Sequence, residues 1–325
     1  MTRLIFTCGD INGIGPEISL KLFSKILSSK SKKSLAFVCP VNVFENYYKK
    51  LNVHFKYHIA DENLQNGNSL NLIPLKNARL NIGKPTKESG KTAYESILRS
   101  VEFVNADKAD AIVTSPISKT AFQLAGIKFP GHTELLAATE KQNNYLMMFL
   151  ADKLKAGLLT IHEPIKKVPR ILSKKKIIDA IGLINKSLKN DFRIDNPKIA
   201  VLGLNPHAGE NGNIGREEID MIIPAIKSFG KKINVEGPFV PDAFWATKKH
   251  LIYDFVLGIY HDQVLIPFKM LNFDKGVNYT AGLKMIRTSP DHGTAFDIAG
   301  KGIASEASLY EAYRYAVKIH SNRIN

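Results

Sequence analysis

The chain has 325 residues, 44% of them apolar and 23% charged, which suits a soluble globular protein of one large or two modest domains; no apolar run is long enough to span a bilayer. The opening residues, Met1 to Thr7, enter a β-rich segment without the apolar stretch of a secretory leader, so a cytoplasmic location is expected. The net charge of +15 comes from lysines in short scattered clusters, such as Lys30 to Lys33 and Lys174 to Lys176, and no basic arm or aromatic-interleaved RNA motif accompanies them; this reads as a solvated surface and anionic small-molecule ligands rather than a nucleic-acid partner.

In chain order, a strand is predicted over Leu4–Cys8. It runs into GDINGIGPEI (Gly9 to Ile18), a glycine-bearing loop in which Pro16 suits the first turn of a helix. The spacing is not GxGxxG. Such a loop is either a tight structural turn or a helix start whose free amides bind an anion, and the residues alone leave both open. A second strand, Leu35–Cys39, follows. Cys8 and Cys39 each lie in an apolar run, and with no CxxC they read as buried free thiols. A helix over Lys91–Val104 leads to a strand over Ala111–Thr114. The cluster GHTE (Gly131 to Glu134) comes next, and His132 and Thr133 there read first as helix capping, second as anion contacts.

Three further strands share one feature. Leu158–Ile161 ends at His162, Lys198–Leu204 is followed by His207, and Phe255–Tyr260 ends at His261; helices over Lys175–Leu188 and Arg216–Lys227 separate them. A lone histidine is more often a satisfied structural residue. Three of them leaving apolar strands suggest a divalent-metal site with an open position for substrate, because parallel strands deliver such residues to one sheet edge. The C-terminal part is dense in polar groups: Lys269, Asn278, Arg287, Asp291 and His292. They suit a carboxylate or phosphate, or are surface charges in loops. Strands alternating with amphipathic stretches predict an α/β fold with a largely parallel sheet.

Seven motifs taken together resemble the 4-hydroxythreonine-4-phosphate dehydrogenase family of vitamin B6 biosynthesis. They are GDINGIGPEI, VTSPISK (Val113 to Lys119), GHTE, LNPHAGE (Leu204 to Glu210), GPFVPDAFW (Gly237 to Trp245), YHDQ (Tyr260 to Gln263) and SPDHGTAFDIAGKG (Ser289 to Gly302), in family order along nearly the whole chain. The resemblance implies two α/β/α domains with a cleft between them, as in isocitrate and isopropylmalate dehydrogenases: residues 1–130 plus 265–325 on the cofactor side, and 131–264 on the metal and dimer side. It implies a homodimer whose active site lies at the subunit interface, with metal histidines drawn from both subunits.

By the same resemblance, His162, His207 and His261 are ligands of zinc, magnesium or cobalt. His132, Thr133, Lys269, Asn278 and Arg287 contact substrate. The loop His292, Gly293 to Asp297 resembles the adenosine-binding loop of isopropylmalate dehydrogenases, and a carboxylate at Asp297 would accept from a ribose 2′-hydroxyl and repel a 2′-phosphate, favouring NAD over NADP. The family reaction oxidises the 3-hydroxyl of 4-phosphooxy-L-threonine with the metal as Lewis acid. The product, 2-amino-3-oxo-4-phosphooxybutanoate, loses carbon dioxide to give 3-amino-2-oxopropyl phosphate. Asp262 and a water at the metal are the candidate bases, and Lys269 assists electrostatically or accepts a proton. Two other activities are open to the same residues: a sister dehydrogenase acting on another four-carbon phosphate, such as phospho-threonate, and a three-histidine metal hydrolase or aldolase. The chain departs from the family at Ile11-Asn12, where Pro-Ala is common.

Overall fold

The structure, a computed structural model, describes residues 1–28 and 34–324; the Lys30 to Lys33 cluster lies outside the described residues. In chain order the elements are β1 (Arg3–Thr7), α1 (Gly15–Leu27), β2 (Ser34–Pro40), α2 (Val41–Lys50), β3 (Lys56–Ile59), β4 (Ser69–Leu75), α3 (Lys87–Asn105), β5 (Ala111–Val113), α4 (Lys119–Leu124) and α5 (His132–Thr139). Then come β6 (Leu146–Ala151), β7 (Leu154–Leu158), α6 (Val168–Ile171), α7 (Lys174–Asn190), β8 (Ile199–Leu202), α8 (Ile223–Lys227), β9 (Val235–Phe239), α9 (Pro241–Ala246), β10 (Phe255–Gly258), α10 (His261–Asn272), β11 (Val277–Ala281), β12 (Ile286–Pro290) and α11 (Ala307–Ile324). The chain divides into two compact units, one of Met1–Glu140 with Lys284–Asn325, the other of Lys141–Leu283. Residues 265–283 go with the second unit because β11 hydrogen-bonds antiparallel to β6.

In the first unit the strands run in the order β3-β4-β2-β1-β5-β12, all parallel. Every residue of β2 (SLAFVCP) is buried, as expected of an interior parallel strand covered on both faces. Phe6 meets Phe23 edge-on with centroids 5.0 Å apart, and Phe23 meets Phe37 at 5.2 Å, which ties α1 to the sheet. Cys8 and Cys39 are buried free thiols, as expected. Helix α3 begins at Lys87, four residues earlier than the pattern predicts, because Thr86 and Ser89 form a reciprocal capping box. The signal was there to read, with Ser in place of the usual Glu or Gln.

The second unit orders its strands β11-β6-β7-β10-β8-β9. The run β7-β10-β8-β9 is parallel, and β6 is antiparallel to both its neighbours. Its core joins Phe149, Leu158, Leu202, Phe244, Val256, Val264 and Phe268. The helix predicted over Arg216–Lys227 is α-helical only in its second half; Glu218–Ile222 is a π-helical turn.

Candidate active site

The register of the second unit explains where its histidines go. Strand β10 lies between β7 and β8, with Leu158 beside Gly258 and Val201 beside Leu257. Ladder-like bonds continue past the strand ends, from Leu159 N to Gly258 O (2.9 Å) and from Thr160 N to Ile259 O (3.0 Å). Thr160 Oγ1 also donates to Ile259 O at 2.6 Å. His162 and His261 therefore leave neighbouring strands on the same edge, and their rings stand 6.0 Å apart, centroid to centroid. His261 opens α10 and its Nδ1 hydrogen-bonds Asp262 Oδ1 at 2.7 Å. A carboxylate only accepts, so in the neutral ring this bond favours the tautomer with the proton on Nδ1 and the lone pair on Nε2.

His207 follows the third strand of this set, β8, on a turn lined up with Ala208, Glu210, Asn211, Ile223 and Pro238 around a cavity of 450 Å³. His162, His207 and His261 are all exposed. Among the described residues, no three His, Cys, Asp or Glu side chains come together closely enough to hold a metal ion. His162 and His261 thus stand as neighbours, and His207 does not complete a three-residue group with them among the described residues. Lys269, in the last turn of α10, is exposed, and Asn278 lies on β11.

The first unit holds a different group. Arg287 is on β12 and buried, so it is no surface charge in a loop. Its Nε donates to Thr114 Oγ1 at 3.0 Å and its Nη2 to Ser289 Oγ at 2.8 Å. Burial pushes its pKa down to about 9, and the nearby Glu134 carboxylate acts the other way, so the guanidinium keeps its charge at neutral pH. His132 lies close enough to feel that charge. Burial first and Arg287 second hold its pKa well below the usual imidazole value, against a backbone hydrogen bond with Ser115. Its Nε2 is buried without a hydrogen-bond partner among the described residues. The capping reading of GHTE fails here: Gly131 is the N-cap of α5, no side chain caps the helix, and His132 and Thr133 are its first residues. A desolvated cation beside an unsatisfied buried imidazole nitrogen is an environment an anion would relieve.

The glycine loop resolves the other way. The amides of Asn12, Gly13 and Ile14 bond Asp10 Oδ1 (3.0 Å), Asp10 O (3.0 Å) and Thr294 O (3.0 Å), and residues 8–18 are buried throughout. Those three amides are committed to the turn itself, so the loop between Asp10 and Ile14 is a structural turn. A Cβ at Gly13 would stand 2.8 Å from Thr294 O, which is why the backbone there must be bare. Asn12, where the family commonly has Ala, works as a clamp. Its Nδ2 donates to Lys84 O (3.0 Å) and Thr86 Oγ1 (3.2 Å), and its Oδ1 accepts from Asn81 N (2.7 Å). The loop of His292, Gly293 and Asp297 follows β12; His292 is half-buried, and Gly293 and Asp297 are exposed.

Asp10 gives this loop a pH dependence. Burial raises its pKa to about 6, although the Asn12 amide and Ser89 hydroxyl stabilise the carboxylate. The unfolded carboxyl titrates near pH 4. Between about pH 4 and 6 the folded chain holds a proton that the unfolded chain has released, so stability falls as pH rises, and the full cost of roughly 2–3 kcal/mol persists above that window. Asp10→Asn is therefore expected to raise the melting temperature at pH 8 and to leave it nearly unchanged at pH 4. A mutant-minus-wild-type difference that does not open between those pH values would contradict the buried ionised carboxylate.

The sequence model of the family described as "Pyridoxal phosphate biosynthetic protein PdxA" matches residues 31–316. The chain belongs to the PdxA family. It is 42% identical over 320 residues to the 4-hydroxythreonine-4-phosphate dehydrogenase of Aquifex aeolicus, covering 96% of each chain. It is 40% identical over 326 residues to that of Sulfurihydrogenibium sp., covering 98% of each. The crystal structure of the Klebsiella pneumoniae 4-hydroxythreonine-4-phosphate dehydrogenase superposes with a TM-score of 0.85 at 34% identity, over 98% of this chain and all of that one. An isocitrate dehydrogenase from Methylococcus capsulatus shares the fold, with a TM-score of 0.52 at 13% identity over 100% of this chain and 87% of that one. The α/β fold expected from the PdxA motifs is therefore present. Glu218 is a structurally engaged residue of this PdxA chain outside the quoted motifs, and Asp10 and Asn12 lie within GDINGIGPEI without a role having been read for them. Each is an ordinary polar residue in sequence, and only burial marks it.

Proposed function

We propose that the chain is an NAD-dependent 4-hydroxythreonine-4-phosphate dehydrogenase that oxidises 4-phosphooxy-L-threonine to 2-amino-3-oxo-4-phosphooxybutanoate. The observation that carries this reading is the delivery of His162, His207 and His261 to the carboxyl ends of three adjacent parallel strands, in a chain matched end to end by dehydrogenases of that name. Two imidazoles sharing one tetrahedral ion have ring centroids about 5 Å apart. The 6.0 Å between His162 and His261 fits that arrangement after a small adjustment, and neutral imidazole donors suit zinc or cobalt far better than magnesium, which prefers oxygen ligands. When bound, the divalent cation supplies Lewis acidity that lowers the pKa of the substrate's 3-hydroxyl. NAD, when bound, takes up the hydride.

The chain's own residues do the rest. Asp262 holds the His261 tautomer, and is also the side chain best placed beside the histidines to take a proton. Lys269 adds positive charge on the same helix. Arg287, His132 and Thr133 hold the substrate's anionic end, with Asn278 as a further polar contact. Asp297 reads the cofactor ribose and favours NAD over NADP. The oxidised product carries its carbonyl β to the carboxylate, so it loses carbon dioxide readily and yields 3-amino-2-oxopropyl phosphate.

The working form in this reading is a homodimer. Ile266, Met270 and Phe273 lie four and three residues apart along α10 and its end, so they share one face, and they are 57%, 81% and 80% exposed. A second copy covering this stripe would also bring its histidines to the pair left incomplete in one chain. In this reading the enzyme works in the cytoplasm, where NAD is available.

The function is tested by NADH formation from 4-phosphooxy-L-threonine, with and without chelator, beside phospho-threonate and with NADP in place of NAD. Chelator-sensitive NADH formation from the first substrate is expected. Faster turnover of phospho-threonate would assign the sister activity, and product formed without nicotinamide would assign a hydrolase or aldolase. Arg287→Ala is expected to weaken substrate binding by about 2–3 kcal/mol, or roughly 30- to 150-fold in KM, with the Kd for NAD little changed. Arg287→Lys, which keeps the charge, should lose less. Equal loss of NAD binding with KM untouched would remove Arg287 from the substrate's anion site.

A further inference from the structure

The turn that presents His207 runs against the handedness of L-amino acids. His207, Ala208, Gly209, Glu210 and Asn211 have φ of 52°, 50°, 79°, 41° and 56°, five consecutive left-handed residues of which one is glycine. Residues other than glycine adopt this conformation singly and at a steric cost, so a run of five persists only where its surroundings impose it.

The surroundings centre on Glu218. Its carboxylate is 1% exposed. Oε1 accepts from the amides of Leu204 and Asn205, both at 2.8 Å, and Oε2 accepts from Asn205 Nδ2 at 2.9 Å. Glu217 Oε2 also accepts from Asn205 Nδ2, at 2.7 Å. The entry to the turn, Leu204-Asn205, is thus held from the side by one buried anion, and Ala208 N closes back on Asn205 O at 3.1 Å. The middle of the turn rests on the same carboxylate: a Cβ at Gly209 would lie 2.6 Å from Glu218 Oε2. Glu218 is also the first residue of the π-helical turn Glu218–Ile222, a widened geometry that recurs at functional sites.

We propose that Glu218 is a positioning residue for His207: its buried carboxylate fixes the left-handed turn and thereby the direction in which the His207 imidazole is offered to the metal. This rests on the reading of His207 as a ligand. Glu218 itself contacts neither metal nor substrate. Its neutral isostere cannot replace it, because a Gln amide would face either the Leu204 and Asn205 amides or the Asn205 side-chain amide donor-to-donor.

The test uses the full-length protein, stripped of metal and titrated with Co²⁺ alone, which reports ligand geometry in its visible absorption. Glu218→Gln is expected to remain folded by circular dichroism, to bind Co²⁺ roughly 10- to 100-fold more weakly, and to show an altered visible band. In the cycle with His207→Ala, the double mutant should bind Co²⁺ no more weakly than His207→Ala alone. Losses that multiply would mean that Glu218 acts on the whole unit and not through His207, and would overturn the proposal. So would unchanged Co²⁺ affinity and spectrum in Glu218→Gln. If Glu218→Gln does not fold, Gly209→Ala, which displaces the carboxylate without removing it, should give the same spectral change, and a wild-type spectrum there would overturn the proposal equally. Wild-type Co²⁺ affinity in His207→Ala would instead show that the ligand reading is wrong.

Discussion

His207→Ala, His162→Ala and His261→Ala are each expected to lose activity by at least about 100-fold, and mixing His207→Ala with either of the other two should restore about a quarter of the wild-type rate. His162 and His261 stand 6.0 Å apart, centroid to centroid, while His207 joins no three-residue group with them among the described residues. If a site takes the His162–His261 pair from one protomer and His207 from its partner, a mixed dimer of His207→Ala and His261→Ala puts both lesions in one site and none in the other. Random pairing makes about half the dimers mixed, each with one intact site, hence the quarter. Mixing His162→Ala with His261→Ala should restore nothing, because each site then lacks one of the pair. Recovery from that last mixture would break the same-chain pairing. No recovery from any mixture, with chain exchange demonstrated, would place all three ligands in one subunit.

Gly90→Ala is expected to cost roughly 3 kcal/mol or more of stability, and to lower the melting temperature by roughly 4–5 °C or more. Helix α3 approaches α4 so closely at Gly90 that an added Cβ would stand 2.1 Å from Ala121 O and 2.4 Å from Ala121 C. Both neighbours are backbone, so no rotamer change can make room; the helices themselves must part. Gly182→Ala is the control. Gly182 lies inside α7, and a Cβ there meets nothing within 4 Å. Alanine at that position should stabilise by about 0.5–1 kcal/mol through its better helix propensity. A Gly90→Ala protein that melts with the wild type would show that α3 and α4 are not in contact at this depth.

The sequence alone determined the alternation of strands and helices, the parallel character of the interior strands, and the place of His261 just past one of them; the strand expected over Leu158–Ile161 is instead Leu154–Leu158, so His162 lies four residues beyond its end. These are short-range properties. An apolar run such as FVLG must be buried, and the first polar residues after it must lie where the strand emerges. The ordered motifs carried the family in the same way, since they sit at the strand ends where function is concentrated. Strands β11 and β12 were hidden by their polar residues: Asn278 and Arg287 read as loop residues until the pairing with β6 and β5 placed them in sheets.

Only the tertiary structure decided which polar groups are satisfied and which are not. The glycine loop could have bound an anion, but the Ile14 amide is taken by Thr294, a residue far along the chain that no local pattern connects to it. GHTE looked like a capping motif, yet the His132 Nε2 is buried near Arg287 without a hydrogen-bond partner among the described residues. The turn PHAGEN contains a single glycine, so its local preferences favour right-handed backbone. It is left-handed because a buried carboxylate from the following helix grips its entry. Local sequence sets the cost of such conformations; long-range hydrogen bonds in a desolvated interior determine whether that cost is met.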